Sequence, residues 1–257
     1  MKILFIGDIF SVLGRKVVEE NIKKIKQEET INFIIANGEN ISHGKGMNEG
    51  HYKWLLEQGV NVITLGNHSF QQKSIYNFID DNNNVVRPIN LNTEHGKGFV
   101  TVNYNGIKIT VLQVLGNVMM SEEYLDCFPM AKETIDNLDS EIIICDMHAE
   151  ATSEKIAFGY AFDGKVTAVL GTHTHVQTSD ARILEKGTAY ITDVGMCGPL
   201  DGVIGVKKDI IVDRYLNNTK KTFVPEDEGK TQFCAVILNI DDKTYKVKKI
   251  ETIRIID

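Results

Sequence analysis

Apolar residues in this chain fall into short continuous runs, alternating with stretches of helical spacing, and most of the runs stop abruptly in small or polar residues. The first run, residues 3–6, has the pattern of a buried strand and ends in Gly7-Asp8. Residues 14–28 then place Val17, Val18, Ile22 and Ile25 at helical spacing among charges. Residues 33–36 are again strand-like and end in Asn37-Gly38-Glu39-Asn40. Residues 48–58 predict a helix with Tyr52, Leu55 and Leu56 on one side, and residues 60–65 a third strand closing in Gly66-Asn67-His68. This β-α-β-α-β order implies parallel strands with right-handed crossovers. Residues 97–103 and 108–115, around Asn105-Gly106, predict an antiparallel hairpin. Residues 141–145 then lead into Asp146-Met147-His148, and residues 166–170 into Gly171-Thr172-His173-Thr174-His175. Residues 189–192 run into Asp193-Val194-Gly195, and residues 232–240 and 245–255 form a second hairpin around Asp241-Asp242-Lys243. No repeat or linker interrupts the series, so a single α/β domain over residues 1–257 is expected.

The strand ends carry the chemistry. Parallel α/β sheets bind ligands outside the carboxyl ends of their strands, so Asp8, Glu39, Asn40, Asn67, His148, His173 and His175 can be delivered to one place. A single loop histidine signifies little. Several histidines at strand ends that also supply Asp, Glu and Asn make a metal set of imidazole nitrogen and carboxylate or amide oxygen. Such mixed ligation suits Fe, Mn, Zn, Co or Ni better than Mg or Ca, and the absence of cysteine from the clusters disfavours a thiolate zinc site. Glu39 has two oxygens and can bridge two ions. His68, beside Asn67, is placed to protonate a leaving alkoxide.

Composition adjusts this picture in three ways. Hydrophobic residues make up 42% of the chain, enough to fill a large core, and no run approaches a membrane span. The N-terminal run is interrupted by Asp8 and reads as a strand and not as a signal peptide, and the four scattered cysteines read as buried thiols, so a cytoplasmic location is expected. The net charge of −7, with no basic stripe, disfavours a long nucleic-acid partner. Two divalent ions held by only Asp8 and Glu39 would nevertheless leave a cluster of about +2, which attracts a phosphate ester. Two ions about 3.5–4 Å apart polarise the phosphoryl oxygens and deprotonate a water for in-line attack.

Gly7-Asp8, Gly66-Asn67-His68 and Gly171-Thr172-His173-Thr174-His175 resemble the GD, GNH and GHxH blocks of the calcineurin-like metallophosphoesterase superfamily. Position 10 is Phe where the broad pattern often has His, and Glu39-Asn40 stands at the bridging position where Asp is common. Those departures, with NGENISHGKG, HAEATSEK, GTHTHVQT and TAYITDVG, resemble the bacterial YmdB-like branch over nearly the whole chain. The resemblance implies a four-layer α/β/β/α sandwich and two transition-metal ions, iron first and Mn or Zn next. One ion would be held by Asp8, Glu39, Asn40 and His175, the other by Glu39, Asn67, His148 and His173, with His68 as catalytic acid. It further implies self-association and hydrolysis of 2′,3′-cyclic nucleotides, a small-molecule phosphodiester substrate, to nucleoside 3′-phosphates. A phosphomonoesterase or nucleotidase, or a metal-binding regulatory protein with little turnover, are the alternative readings. Phe70-Gln71 replaces the Trp-Asp usual in relatives, which bears on how His68 is oriented.

Several residues have lesser roles in this reading. Lys45, Lys155 and Arg182 are candidate phosphate contacts, and His43 belongs to a glycine-rich loop that can face substrate. Asp146, Thr172, Thr174 and Asp193 are candidate supports for metal-bound histidines. His51 is expected to be structural and His95 a turn residue.

Overall fold

Alternation along each strand decides which layer its side chains enter. In the computed structural model, which describes residues 1–257, Ile3 and Phe5 face one way and Leu4 and Ile6 the other, and all four are fully buried. The first strand is therefore covered on both sides.

The chain begins with β1 (Lys2–Ile6), β2 (Asp8–Ile9), α1 (Ser11–Glu28), β3 (Phe33–Asn37), α2 (Glu49–Glu57), β4 (Val62–Thr64) and β5 (Val85–Val86). It continues through β6 (Phe99–Tyr104), β7 (Ile107–Leu115), α3 (Cys127–Asp136), β8 (Ile142–His148), α4 (Thr152–Ala161) and β9 (Ala168–Thr172). The last part comprises β10 (Arg182–Ile183), β11 (Ala189–Ile191), β12 (Met196–Pro199), α5 (Lys208–Asn217), β13 (Thr231–Ile240) and β14 (Val247–Ile256). One sheet runs β2-β12-β13-β1-β3-β4-β5 with β14 beside β13; the other runs β10-β11-β9-β8-β7-β6. Strands β1, β3, β4 and β5 are mutually parallel, as are β7, β8, β9 and β11.

Three buried clusters define the layers. Leu4, Ile6 and Ile63 pack against Val17, Val18 and Ile22 of α1 and Leu55 of α2. Ile3, Phe5, Phe33 and Ile35 meet Val111, Ile144 and Leu170 between the two sheets. Leu112, Cys145 and Met147 face Ala131 and Ile135 of α3 and Phe158 of α4. The result is the expected four-layer α/β/β/α sandwich.

Both hairpins form where their turn residues predict, with β6 antiparallel to β7 and β13 antiparallel to β14. Helix α1 begins at Ser11, earlier than the apolar spacing indicates, and has no side-chain cap. Its first amides are instead satisfied by distant carbonyls, Phe10 N donating to Cys197 O and Ser11 N to Asn40 O. A Cβ at Gly14 would lie 2.5 Å from Cys197 O, so glycine is what lets α1 approach β12. All four cysteines are buried free thiols. No helix is long and apolar enough to cross a membrane.

Candidate metal centre

Four of the eight singled-out residues, Asp8, Glu39, His148 and His173, sit at or within two residues of the ends of β1, β3, β8 and β9, where both sheets direct their carboxyl ends to one spot. Asn40, Asn67, His68 and His175 lie three or four residues past β3, β4 and β9. Asp8 itself is in β2, whose pairing with β12 fixes its backbone.

The side chains touch in a continuous chain. His175 Nε2 is 3.7 Å from Asp8 Oδ1 and 3.2 Å from Asn40 Nδ2. Asn40 Oδ1 and Glu39 Oε1 each lie 3.1 Å from His68 Nδ1. Glu39 Oε2, Asn67 Oδ1 and His173 Nδ1 each lie 3.1 Å from His148 Nε2. The backbone amide of His173 donates to Asp8 Oδ2 at 3.2 Å, tying the β9 loop to β2.

Three features test whether this cluster suits metal ions. First, donor atoms of an ion bound at about 2.1 Å lie about 3 Å apart, which matches the spacing around His148 Nε2. The nitrogens and oxygens of Glu39, His148 and His173 form one compact group. Second, Asp8 Oδ1 and Glu39 Oε2 are buried and make no hydrogen bond of good geometry; each faces only an imidazole nitrogen, His175 Nε2 at 3.7 Å and His148 Nε2 at 3.1 Å, and a bound cation completes such oxygens. Third, a Cβ at Gly66 would fall 1.4 Å from Glu39 Oε2 and 2.6 Å from His148 Nε2, so glycine there leaves a hollow against both donors. The residues fit a metal centre.

Hydrogen bonds behind the cluster set the imidazole tautomers. Thr172 Oγ1 donates to Asp146 Oδ1 at 2.5 Å, so its lone pairs accept from His148 Nδ1, 2.8 Å away, and Nε2 is left to face the cluster. Asp146 Oδ2 also accepts from Asn37 Nδ2 at 3.1 Å and Gln113 Nε2 at 2.9 Å, which joins the two sheets behind the site. Burial holds the Asp146 carboxyl up at about 6 despite these donors and the nearby His148. His175 Nδ1 donates to Ile204 O at 2.9 Å, again directing Nε2 inward.

Electrostatics divide the histidines. Burial opposes charge on His148, but Glu39, Asp8 and Asp146 outweigh it and push the ring up to about 9. Burial and the adjacent positive His148 drive His173 down to about 3, so its ring is neutral and ready to ligate at pH 7. Burial opposes the charge of Glu39, and His148 and His68 still hold its carboxyl well below the ordinary range. Below about pH 9 the His148 ring carries a proton that an ion bound at Nε2 must displace. Adding Mn²⁺ to chelator-treated protein in weak buffer at pH 7 is therefore expected to release protons, and apparent affinity should rise with pH until about 9. Calorimetry in buffers of different ionisation enthalpy measures the release; uptake without it would contradict this account of His148.

The cluster forms the floor of a cavity of about 1060 Å³ that Glu39, Asn40, His68, His173 and His175 line. His43 and Lys45 also line it, as the reading of their loop expects. Lys155 does not. Its ammonium is fully buried, donating to Asp193 Oδ2 at 2.8 Å and Thr172 O at 2.6 Å, so it supports the site from behind and contacts no substrate phosphate. Arg182 lies over the ring of Tyr190 and lines no part of the cavity. His51 pairs with Ser42 Oγ and His95 with Asp80, both structural contacts. Thr174 is held through both its amide and its hydroxyl by Asp193 Oδ2. Two residues of the site were not singled out from the sequence, although Glu150 lies within the HAEATSEK block. Glu150 places Oε2 3.4 Å from His173 Nε2, and Ile204 acts through its carbonyl alone.

Known proteins resemble this chain along its whole length. The chain is 46% identical over 260 residues to the 2′,3′-cyclic-nucleotide 2′-phosphodiesterase of Bacillus subtilis (strain 168), covering 100% of this chain and 98% of that protein. Among solved structures, a novel phosphatase from Mycoplasma pneumoniae superposes with a TM-score of 0.95 at 39% identity, covering 100% of this chain and 93% of its own. A hypothetical protein from Thermus thermophilus gives 0.93 at 35% identity, with both chains fully covered. The profile of the YmdB-like proteins matches residues 4–253, and the chain belongs to that family.

Proposed function

We propose that the chain is a single-domain, dinuclear metal-dependent phosphodiesterase that hydrolyses 2′,3′-cyclic nucleotides to nucleoside 3′-phosphates. The observation that carries this reading is the pair of buried carboxylate oxygens, Asp8 Oδ1 and Glu39 Oε2, that make no hydrogen bond of good geometry and face inward-turned imidazoles beside a substrate-sized cavity. The activity named for the Bacillus subtilis relative supplies the substrate class.

Asp8, Glu39, Asn40 and His175 would hold one ion, and Glu39, Asn67, His148 and His173 the other. Asn40 now turns Nδ2 toward His175, so ligation through Oδ1 requires a half-turn of the amide, which exchanges its two heavy atoms. The mixed nitrogen and oxygen set suits Fe, Mn or Zn, with iron favoured by the family resemblance. Bound there, two such ions would polarise the phosphoryl group and activate a water for in-line attack.

The chain's own part is positioning and proton transfer. Asp146 and Thr172 keep His148 in one tautomer, and Ile204 O does the same for His175. His68 is held through Nδ1 by Glu39 Oε1 and lines the cavity, so its opposite nitrogen, Nε2, is the group to protonate the leaving 2′ oxygen. His68→Ala is expected to lower kcat by roughly 10²–10⁴-fold, the usual range for loss of a general acid, with full metal content. Elemental analysis beside steady-state kinetics checks both halves, and wild-type kcat in the variant would remove His68 from the mechanism.

The phosphatase described from Mycoplasma pneumoniae makes a phosphomonoester the second substrate to test. Metal-loaded protein assayed on 2′,3′-cyclic AMP and on adenosine 3′-monophosphate separates the two. Turnover of the monoester alone would overturn the diesterase reading.

A further inference from the structure

The cavity extends well past the metal cluster. Its volume of about 1060 Å³ is at the top of the roughly 300–1,000 Å³ range of small-molecule pockets, more than a phosphate and its ions require. The floor is polar, whereas the flank is built from residues 203–225, including Ile204, Ile211, Arg214, Tyr215 and Phe223.

This flank is fastened to the floor. Ile204 has a φ of 46°, a left-handed backbone that a β-branched side chain rarely adopts, and its carbonyl in that conformation accepts from His175 Nδ1. Gly205, at a φ of 100°, follows, and a Cβ there would strike the Phe10 ring at 2.6 Å. The turn is thus pinned between a proposed metal-site residue and Phe10, while Ile204 stays 55% exposed.

Flat surfaces are available on the same flank. The Arg214 guanidinium carbon lies 4.9 Å from the centroid of the Phe223 ring, forming a cation–π stack. Phe223 keeps 45% of its surface exposed and Tyr215 84%, although both line the cavity. Aromatic rings backed by a guanidinium plane are what a planar heteroaromatic group stacks on.

We propose that residues 203–225 form the base-recognition wall of the substrate cavity, with Phe223 as the stacking surface and Arg214 bracing it. The occupant is the nucleobase of the cyclic nucleotide, held on the flank while its phosphate lies on the floor. This assignment rests on the phosphodiesterase reading above.

The test compares a substrate with a base, 2′,3′-cyclic AMP, with one lacking it, glycerol 1,2-cyclic phosphate, on the Mn²⁺-loaded full chain. Phe223→Ala is expected to raise KM for cyclic AMP roughly tenfold or more, the scale of one lost base–aromatic stack, and to shrink the preference for the nucleotide by the same factor. Phe223→Tyr should restore it. Calorimetric binding of adenosine to chelator-treated protein should weaken in parallel, a readout independent of turnover. Wild-type protein that cleaves both esters with equal KM would overturn the wall, as would a Phe223→Ala variant that changes both esters equally while dissociating an oligomer. If wild-type protein cleaves neither ester, the phosphodiesterase reading falls, and adenosine binding by wild type but not by Phe223→Ala would still support the wall.

Discussion

A Gly66→Ala variant is expected to fold and yet lose its metal. The added methyl would sit 1.4 Å from Glu39 Oε2, 2.5 Å from its Cδ and 2.6 Å from His148 Nε2, so the carboxylate would have to leave the place where it faces His148. Gly66 has no left-handed φ, so alanine adds no backbone strain of that kind, and the fold should survive. Loss of a group that merely supports a ligand costs about 10–100-fold in metal affinity. Displacing Glu39, whose oxygens reach toward His148 on one side and His68 on the other, should exceed that range and take activity with it. Elemental analysis after loading, beside a thermal melt, measures both outcomes. A variant that binds wild-type amounts of metal and retains turnover would show that Glu39 is not part of the centre.

The largest effect on stability is expected from Lys155→Met. Lys155 and Asp193 are both fully buried, and removing the ammonium strands a carboxylate in the interior. Breaking a buried pair on one side costs about 3–5 kcal/mol, and each kcal/mol lowers the melting temperature of a domain this size by about 2–4 °C. A fall of roughly 10 °C is therefore expected. Substituting Asp193 as well should recover only part of it, because Asp193 also accepts from Thr174 N at 3.0 Å, Thr174 Oγ1 at 2.8 Å and Gly195 N at 2.8 Å. Those bonds hold a loop whose two histidines have left-handed φ values, 98° at His173 and 66° at His175. Melting curves of the single and double variants decide this, and an unshifted melt for Lys155→Met would mean that the pair contributes nothing net.

What the sequence disclosed followed from how strongly each feature is written into hydrophobic pattern. Strand runs ending in Gly, Asp, Asn or His were legible because parallel strands buried on both faces need unbroken apolar runs. The arrangement of the layers was implied only by the resemblance to a known family. Helices α3, α4 and α5 had no assignment, and α4 shows why: it buries Glu154 and Lys155 beside Phe158, so charge does not mark its exposed side. The same default, that a lysine is solvated, made Lys155 look like a phosphate contact. Strands β2 and β12 pair over only two residues and carry no period to read. Asp146 and Thr172 were identified as supports for the histidines, whereas Asn37 and Gln113, which complete the hub, are buried amides like any others in the pattern. Ile204 was invisible in principle, since its contribution is a main-chain carbonyl that any residue possesses.

That last point bears on how readily such an enzyme can change its substrate. The cluster beneath the cavity is anchored in two sheets, with Asp8 inside a strand ladder and His148 at the end of one, so on the proposed reading variation there would threaten the chemistry itself. The flank touches the floor through backbone, at Ile204 O, and its side chains can be exchanged without removing that hydrogen bond. On the proposed assignment, reaction and recognition would be written in separate stretches of the chain. On that assignment a library over residues 206–225, which spares the Ile204-Gly205 turn packed on Phe10, would search substrate preference while leaving the proposed reacting groups as they are, and that separability is an evolutionary property of the fold as much as a mechanical one.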